Sequence, residues 1–231
     1  MLVTNSKKVI LHLHKCAGSS VRWAIIKAGY EYLFSCEHAP IKMLPNKYAD
    51  WDRIGFIRNP IDWYLSYFHY FKCVTNKRKI NSGVMYYVLS DGNTLSFDQF
   101  IDNALNLSEF FKDENNLKLL RSRIRVVVMN TYDCRHAFTW DDVSAITHDD
   151  FTDSLLDYKF KLLGLDTARV YRIEDGIQNA LNKEFDNPKI VTQRRNVSPK
   201  MNKPVVTTEM KNKIFQRDRF YFDKFGYEII K

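Results

Sequence analysis

The sequence predicts an α/β fold in which a central, mostly parallel sheet is flanked by helices. Two observations predict it: short apolar runs have the length of buried strands, and segments with helical periodicity alternate with them. Of the 231 residues, 45% are hydrophobic and 14% are aromatic, which is ample material for a core. We therefore expect a single domain that spans residues 1–231.

The first strand is predicted at residues 9–13, where the chain is apolar. Ser19 and Ser20 are suited to cap a helix that continues to about Gly29. A second strand is predicted at residues 54–57. Pro60 then opens a helix, and the aromatic residues of this helix recur at a spacing that predicts packing in the core. They are Trp63, Tyr64, Tyr67, Phe68, Tyr70 and Phe71.

The middle of the chain is less regular. Residues 74–95 are polar and predict a loop, interrupted by an apolar stretch at 84–89. Helices are expected at 97–107 and 117–123. Residues 125–129 fit either a strand or a helix end, and the pattern does not decide between them.

Near the carboxyl end, residues 168–173 predict a further strand and 175–185 a helix. The basic segment 188–204 is predicted to be irregular. A long amphipathic helix is expected at 207–225, and Gly226 is suited to close it.

The net charge of +8 favours anionic partners such as nucleotides, sulfated or phosphorylated sugars, nucleic acid or membrane headgroups. The four cysteines form neither a CxxC motif nor a disulfide framework, so we expect reduced thiols. No leader and no apolar run of membrane-spanning length is recognised. These features predict a soluble, cytoplasmic protein without a transmembrane segment, and they indicate no oligomeric state.

The segment HLHKCAGSS, residues 12–20, joins the first predicted strand to the first predicted helix. The N–H groups at a helix start are unpaired, and the helix dipole adds positive potential there. Gly18 and the small Ala17 let a ligand approach the backbone, and Ser19 and Ser20 add hydroxyl donors. The arrangement predicts a phosphate-binding loop.

The position of Lys15 indicates which group is transferred. The nucleotide triphosphatase pattern GxxxxGK[ST] is missing, because Lys15 precedes the turn. The second strand is followed by Arg58 and not by an acidic ligand for magnesium. A phosphate loop with a forward lysine and no metal suits the transfer of sulfuryl, which is less charged than phosphoryl. Lys15 is then placed to stabilise the leaving oxygen.

A second anion site is predicted after the second strand. Arg58 can form paired hydrogen bonds to a phosphate. Ser66 follows eight residues later, about two helical turns on, where its hydroxyl can share that phosphate. A nucleotide with phosphate at both ends would engage both sites.

These motifs resemble those of a known family. HLHKCAGSS is similar to the 5′-phosphosulfate loop of sulfotransferases, HxPKTGGTS, and IRNPIDWYLSYF is similar to their 3′-phosphate motif, RNPxxRxxSxY. The likeness is to the carbohydrate-type enzymes. The segments CEHAPIKML, TARVYRIEDG, RRNVS and DKFGY resemble further family signatures. The sequence departs from the family at His14 for proline, at Cys16-Ala17 for Thr-Gly and at Trp63 for arginine.

The resemblance implies the P-loop nucleotide-hydrolase-like fold of sulfotransferases. It also implies 3′-phosphoadenosine 5′-phosphosulfate as the donor, adenosine 3′,5′-bisphosphate as the product, and no metal. Lys15 and His38 are the expected catalytic residues, with His38 as the general base and Glu37 as the alternative base. The expected donor-binding residues are His14, Lys15, Cys16, Ala17, Gly18, Ser19, Ser20, Arg58, Ser66 and Arg195.

The expected acceptor is a hydroxyl on a carbohydrate or glycolipid, in a site formed by segments 72–96 and 106–150, and a bacterial or viral source is expected. One alternative is a nucleotide or sugar kinase. Another is a basic nucleic-acid-binding protein, although no nucleic-acid motif is recognised and no such partner is expected. A zinc site is a minor alternative. Its ligands would come from His12, His14, Cys16, Cys36 and His38.

Overall fold

The computed structural model describes residues 1–78, 83–130, 146–151, 154–193 and 204–229. The chain divides into two compact units, Met1–Asn59 with Lys159–Val197, and Pro60–Tyr158 with Ser198–Lys231. A single domain over residues 1–231 stays a prediction. Within the described residues, no helix has the length and apolar character that crossing a membrane requires.

The first unit contains a five-stranded sheet. Its strands are β1 (Leu2–Thr4), β2 (Lys8–Leu11), β3 (Tyr32–Ser35), β4 (Asp52–Ile57) and β5 (Arg169–Arg172). The order is β3-β1-β2-β4-β5, with β2, β4 and β5 parallel and β1 antiparallel to both of its neighbours. The α/β class is confirmed, and the sheet is mixed: β2, β4 and β5 pair in parallel, while β1 runs antiparallel to its neighbours β2 and β3.

The first helix follows β2. Helix α1 (Gly18–Lys27) begins at Gly18, and Ala17 stands at its N-cap without any side-chain capping bond. Ser19 and Ser20 therefore lie inside the first turn, so the predicted serine cap is wrong. β2 ends at Leu11, two residues earlier than predicted, and residues 12–17 form the loop.

Nine further helices lie in the described ranges. They are α2 (Pro60–Arg78), α3 (Val84–Leu89), α4 (Phe97–Leu105), α5 (Leu107–Lys112), α6 (Glu114–Asn130), α7 (Leu155–Leu162), α8 (Ile177–Phe185), α9 (Thr208–Arg217) and α10 (Arg219–Phe225). Residues 125–129 are helical. The helix predicted at 97–107 breaks at Asn106, and the one predicted at 207–225 breaks at Asp218. Gly226 ends α10 in the left-handed conformation, as predicted.

The core of the second unit is aromatic. On α2, the predicted stripe is confirmed, since all of its rings except that of Tyr70 are buried. The Tyr67 ring lies 4.6 Å from that of Phe71, and the Phe68 ring lies 5.3 Å from that of Phe100 on α4. α9 packs against both α2 and α4. Burial of these rings is the main stabilising contribution in this unit.

A buried carboxylate links elements of the first unit. Glu184 on α8 accepts hydrogen bonds from Tyr171, from Arg169 at 2.6 Å and from Lys8 at 3.3 Å. Burial alone would raise the pKa of Glu184, but these bonds outweigh it and leave the pKa below its ordinary value. The network connects α8 to β2 and β5, which are separate strands of the sheet.

Candidate active site

The loop after β2 and the turn after β4 lie at the carboxyl ends of neighbouring parallel strands. Leu11 at the end of β2 is paired with Gly55 of β4, and the Arg58 amide donates a hydrogen bond to the Cys16 thiol. Open parallel sheets bind ligands at this edge, because the loops there converge. Residues 12–17 and Arg58 are therefore brought together.

The loop has an unusual backbone. Lys15 and Ala17 adopt left-handed conformations, with φ of 64° and 60°. Each such residue costs about 1–2 kcal/mol when it is not glycine. Ala17 accepts the first bonds of α1 through its carbonyl oxygen, from Ser20 at 2.9 Å and from Val21 at 3.1 Å. The backbone thus turns sharply into the helix, and the helix start faces the carboxyl edge of the sheet.

Gly18 is required by a neighbouring ring. A Cβ atom placed on Gly18 would lie 1.7 Å from Nε2 of His12. The imidazole of His12 occupies the space that any side chain at position 18 would need. Access for a ligand is therefore not the only reason for glycine here, because packing against His12 already demands it.

Lys15 and Arg58 form a cationic pair at the loop. Burial, together with the nearby Arg58 guanidinium, lowers the pKa of Lys15 to about 8. Nε of Arg58 is buried and has no hydrogen-bond partner within the described part of the chain. The two cations repel each other and are shielded from water. An anionic ligand would offset both the repulsion and the loss of hydration, so the pair favours such a ligand.

Three histidine rings pack together beside the loop. The rings of His14 and His38 stack with centroids 3.6 Å apart and planes at 13°, and the His12 ring lies 4.1 Å from that of His38. Nδ1 of His38 lies 3.1 Å from the carbonyl oxygen of His12. Because a carbonyl only accepts hydrogen bonds, Nδ1 carries the proton and Nε2 is left as a proton acceptor.

The three imidazoles are held neutral. Burial is the main cause, and it lowers the pKa of His38 from the ordinary 6.5 to about 4. It lowers the pKa values of His12 and His14 well below the ordinary value too. Neighbouring positive charges act in the same direction for all three rings. His38 is therefore an unprotonated base at neutral pH.

The alternative base, Glu37, is engaged elsewhere. Its side chain is about half exposed and forms an ion pair of 2.6 Å with Arg22 on α1. The geometry thus favours His38 over Glu37 for proton transfer.

Two residues near the site were missed by the sequence analysis. Burial lowers the pKa of Lys159, on α7, to about 8, and its charge acts on His14 and His38. Glu174, in the turn after β5, accepts a hydrogen bond of 2.9 Å from the Asn59 amide. The acidic end of TARVYRIEDG was a signal for Glu174. No local pattern distinguishes Lys159 from the other lysines of a helix.

Two predicted donor-binding residues stay untested at this loop. Ser66 lies on α2 in the second unit and is half-buried. Arg195, with most of the predicted RRNVS signature, lies outside the described residues. Both assignments stay predictions. Trp63, which replaces the family's arginine, is fully buried in the second unit's core.

The cysteines differ from expectation. Cys16 and Cys73 are buried free thiols, and burial raises the pKa of Cys16. Cys36 is disulfide-bonded, so the prediction of four reduced thiols is wrong. Within the described ranges, no group of three or more potential ligands is arranged to hold a metal ion.

Comparisons with protein-family models, with characterised proteins and with solved structures found no match to this chain. The resemblance to sulfotransferases therefore rests on the quoted motifs alone.

Proposed function

We propose that the protein is a sulfotransferase that moves a sulfuryl group from 3′-phosphoadenosine 5′-phosphosulfate to a hydroxyl group. The observation that carries the proposal is the meeting of Lys15, Arg58 and the start of α1 at the carboxyl edge of the sheet, with the neutral His38 stacked beside the same loop. This combination supplies an anion site and a base together. The finer assignment of the fold, to the P-loop-like sulfotransferase class, belongs to the same proposal.

The donor's 5′-phosphosulfate is assigned to residues 14–20. Amides at the start of α1 donate to phosphate oxygens, and the helix dipole adds a favourable potential. The desolvated ammonium of Lys15 and the buried Nε of Arg58 supply positive charge where solvent screening is weak. Ser66 is predicted to share the 3′-phosphate with Arg58, and Arg195 to contact the nucleotide.

The reaction uses residues already described. The acceptor oxygen attacks sulfur and forms a new S–O bond, while the bond from sulfur to the bridging phosphate oxygen breaks. Nε2 of His38 takes the acceptor's proton, since its Nδ1 is committed to the His12 carbonyl. Lys15 stabilises the charge that grows on the departing phosphate oxygen. Adenosine 3′,5′-bisphosphate is the second product, and no step requires a metal.

Sulfuryl transfer tests the proposal directly. Donor labelled with radioactive sulfur is incubated with a panel of oligosaccharides and glycolipids, which are the acceptors that the resemblance implies. Wild-type protein is expected to label at least one of them, and Lys15→Met and His38→Asn are expected to lower kcat by about 100-fold or more. Lys27→Met is the matched control, because Lys27 is an exposed lysine on α1 and its loss removes the same charge. Equal activity in all variants would refute the site.

Thermal shift separates the alternatives. Stabilisation by adenosine 3′,5′-bisphosphate without magnesium supports the sulfotransferase. Stabilisation by ATP with magnesium, and no response to the bisphosphate, would indicate a nucleotide or sugar kinase. Salt-dependent retention on DNA, with no response to either nucleotide, would indicate a nucleic-acid-binding protein.

The cellular location is a separate part of the proposal. The cytoplasmic prediction drew on the expectation of reduced cysteines, and the disulfide at Cys36 removes that support. Disulfides persist mainly in oxidising compartments. Fractionation of cells that express the protein, together with electrophoresis with and without reductant, tests it. Reduced Cys36 in a cytoplasmic fraction restores the original prediction.

A further inference from the structure

We propose that His14 is a positioning residue that stacks on the imidazole of His38 and holds Nε2 of His38 in place as the proton-accepting atom. The consequence for catalysis rests on the proposed sulfotransferase function. The stacking and the choice of tautomer rest on the described geometry alone. The resembled motif has proline where this chain has His14, so the role does not come from the resemblance.

The geometry restrains the His38 ring in two ways. Its face lies against the His14 ring, with a centroid separation of 3.6 Å and an interplanar angle of 13°. Its edge donates from Nδ1 to the His12 carbonyl oxygen at 3.1 Å. The hydrogen bond fixes the tautomer, and the stack resists rotation of the ring about χ2, which is otherwise a soft torsion. Together they leave one orientation for Nε2.

The backbone contributes to the same restraint. His38 has a φ of 55°, which places it in the left-handed region. Non-glycine residues hold this conformation only where the surrounding structure compensates for the strain. The contacts with His12 and His14 are such compensation. Removing the His14 ring should therefore loosen the backbone at position 38 as well as its side chain.

The charged surroundings favour neutral rings. Groups that act on the three imidazoles are the Lys15 ammonium, the Arg22 guanidinium, the Lys159 ammonium, the Met1 amino group and the Glu37 carboxylate. Only Glu37 favours protonation among these, and it is paired with Arg22. The His14 ring also covers one face of His38, and burial is the largest cause of the lowered His38 pKa. By shielding His38 from water, the stack helps to keep it a free base to lower pH than an isolated histidine.

Two substitutions separate ring stacking from ring titration. His14→Phe keeps a flat aromatic face and removes both nitrogens, whereas His14→Ala removes the face as well. Long-range ¹H–¹⁵N NMR of the imidazoles reads the tautomer and the pKa of His38 in each protein without any substrate. The pH profile of kcat for sulfuryl transfer is the second readout.

In the wild type and in His14→Phe we expect His38 to be protonated at Nδ1 only, with a pKa well below 6.5. In His14→Ala the His38 ring can turn away from the His12 carbonyl, so we expect a mixture of tautomers. We also expect the His38 pKa to rise by about one unit or more, because exposure of the ring outweighs the loosened hydrogen bond. The acid limb of the kcat profile should shift to higher pH with it, and kcat should fall about 10-fold or more in His14→Ala and by less in His14→Phe.

An unchanged tautomer and pKa of His38 in His14→Ala would overturn the inference. Equal loss in His14→Phe and His14→Ala would also overturn it, since a ring nitrogen and not the ring face would then be needed. The NMR readout does not depend on transfer activity. A wild-type protein that transfers no sulfuryl group would contradict the proposed function, while the tautomer and titration of His38 would still decide the role of His14.

Discussion

Replacing Gly18 by alanine tests how tightly the loop is packed. The new Cβ would lie 1.7 Å from Nε2, 2.0 Å from Cδ2 and 2.2 Å from Cε1 of His12. Carbon atoms in contact ordinarily stay about 3.5–4.0 Å apart, so the ring has to move by about 2 Å. Because the His12 ring lies 4.1 Å from that of His38, this movement pushes into the histidine stack. Gly18→Ala therefore perturbs the packing of the His12 and His38 rings.

The expected cost follows from overpacking. Forced displacement of a packed side chain costs about 1–3 kcal/mol, so we expect Gly18→Ala to lower the free energy of unfolding by about 2 kcal/mol. For a chain of this length that corresponds to a fall in Tm of about 4–8 °C. Urea denaturation followed by circular dichroism measures the free energy, and the NMR signals of His12 and His38 report the displacement.

A double-mutant cycle assigns the cost to the ring. His12→Ala removes the atoms with which the new Cβ collides, so Gly18→Ala should cost less than about 0.5 kcal/mol in that background. The expected coupling free energy is then about 2 kcal/mol. The same cost for Gly18→Ala in both backgrounds, or no cost in the wild type, would refute the reasoning that His12 demands glycine at position 18.

Ala17→Gly should stabilise the chain by about 1 kcal/mol, because glycine holds the φ of 60° without strain; urea denaturation measures this, and a loss of stability would contradict the left-handed loop. The pKa of His38 is about 4 in the folded protein against 6.5 ordinarily, so between these pH values the unfolded chain binds a proton that the folded protein does not. Stability therefore falls by about 3 kcal/mol as the pH drops from 6.5 to 4. His38→Asn should flatten that part of the profile, and an unchanged slope would show that His38 is not held neutral. Burial raises the pKa of Asp218 from 3.8 to about 7, and a hydrogen bond of 2.5 Å from Ser154 only partly opposes this rise. The neutral carboxyl therefore contributes stability that is fully present below pH 3.8 and is lost as the pH rises to 7. Asp218→Asn should be more stable than the wild type at pH 8, by an amount on the order of 3 kcal/mol, with little difference at pH 4; a destabilised variant at pH 8 would contradict the buried neutral carboxyl.

The sequence predicted those features that local pattern controls. The loop before α1 was recognised because its small residues and lysine lie between an apolar run and a helical period. The aromatic stripe of α2 was recognised from its spacing. Strand β1 was missed because three residues show no period, and β3 because its four residues are not buried as a run. At that length, pairing with neighbouring strands determines the structure more than the local pattern does.

The arrangement of the site depended on long-range packing. His14 and His38 are separated by more than 20 residues, and no periodicity indicates that their rings stack. The hydrogen bond that fixes the His38 tautomer, and the burial of Lys159, arise only when the loops assemble at the sheet edge. Gly18 was interpreted from its neighbours in the motif, whereas its main contact is a ring six residues earlier.

The central claim is that Lys15 and Arg58 form a site for a phosphorylated adenosine nucleotide. Titration calorimetry of adenosine 3′,5′-bisphosphate against the wild type, Lys15→Met and Lys27→Met measures it most directly. The account predicts binding to the wild type and to Lys27→Met without magnesium, and affinity at least about 10-fold weaker for Lys15→Met. No binding to the wild type, or equal affinity for all three proteins, would contradict it.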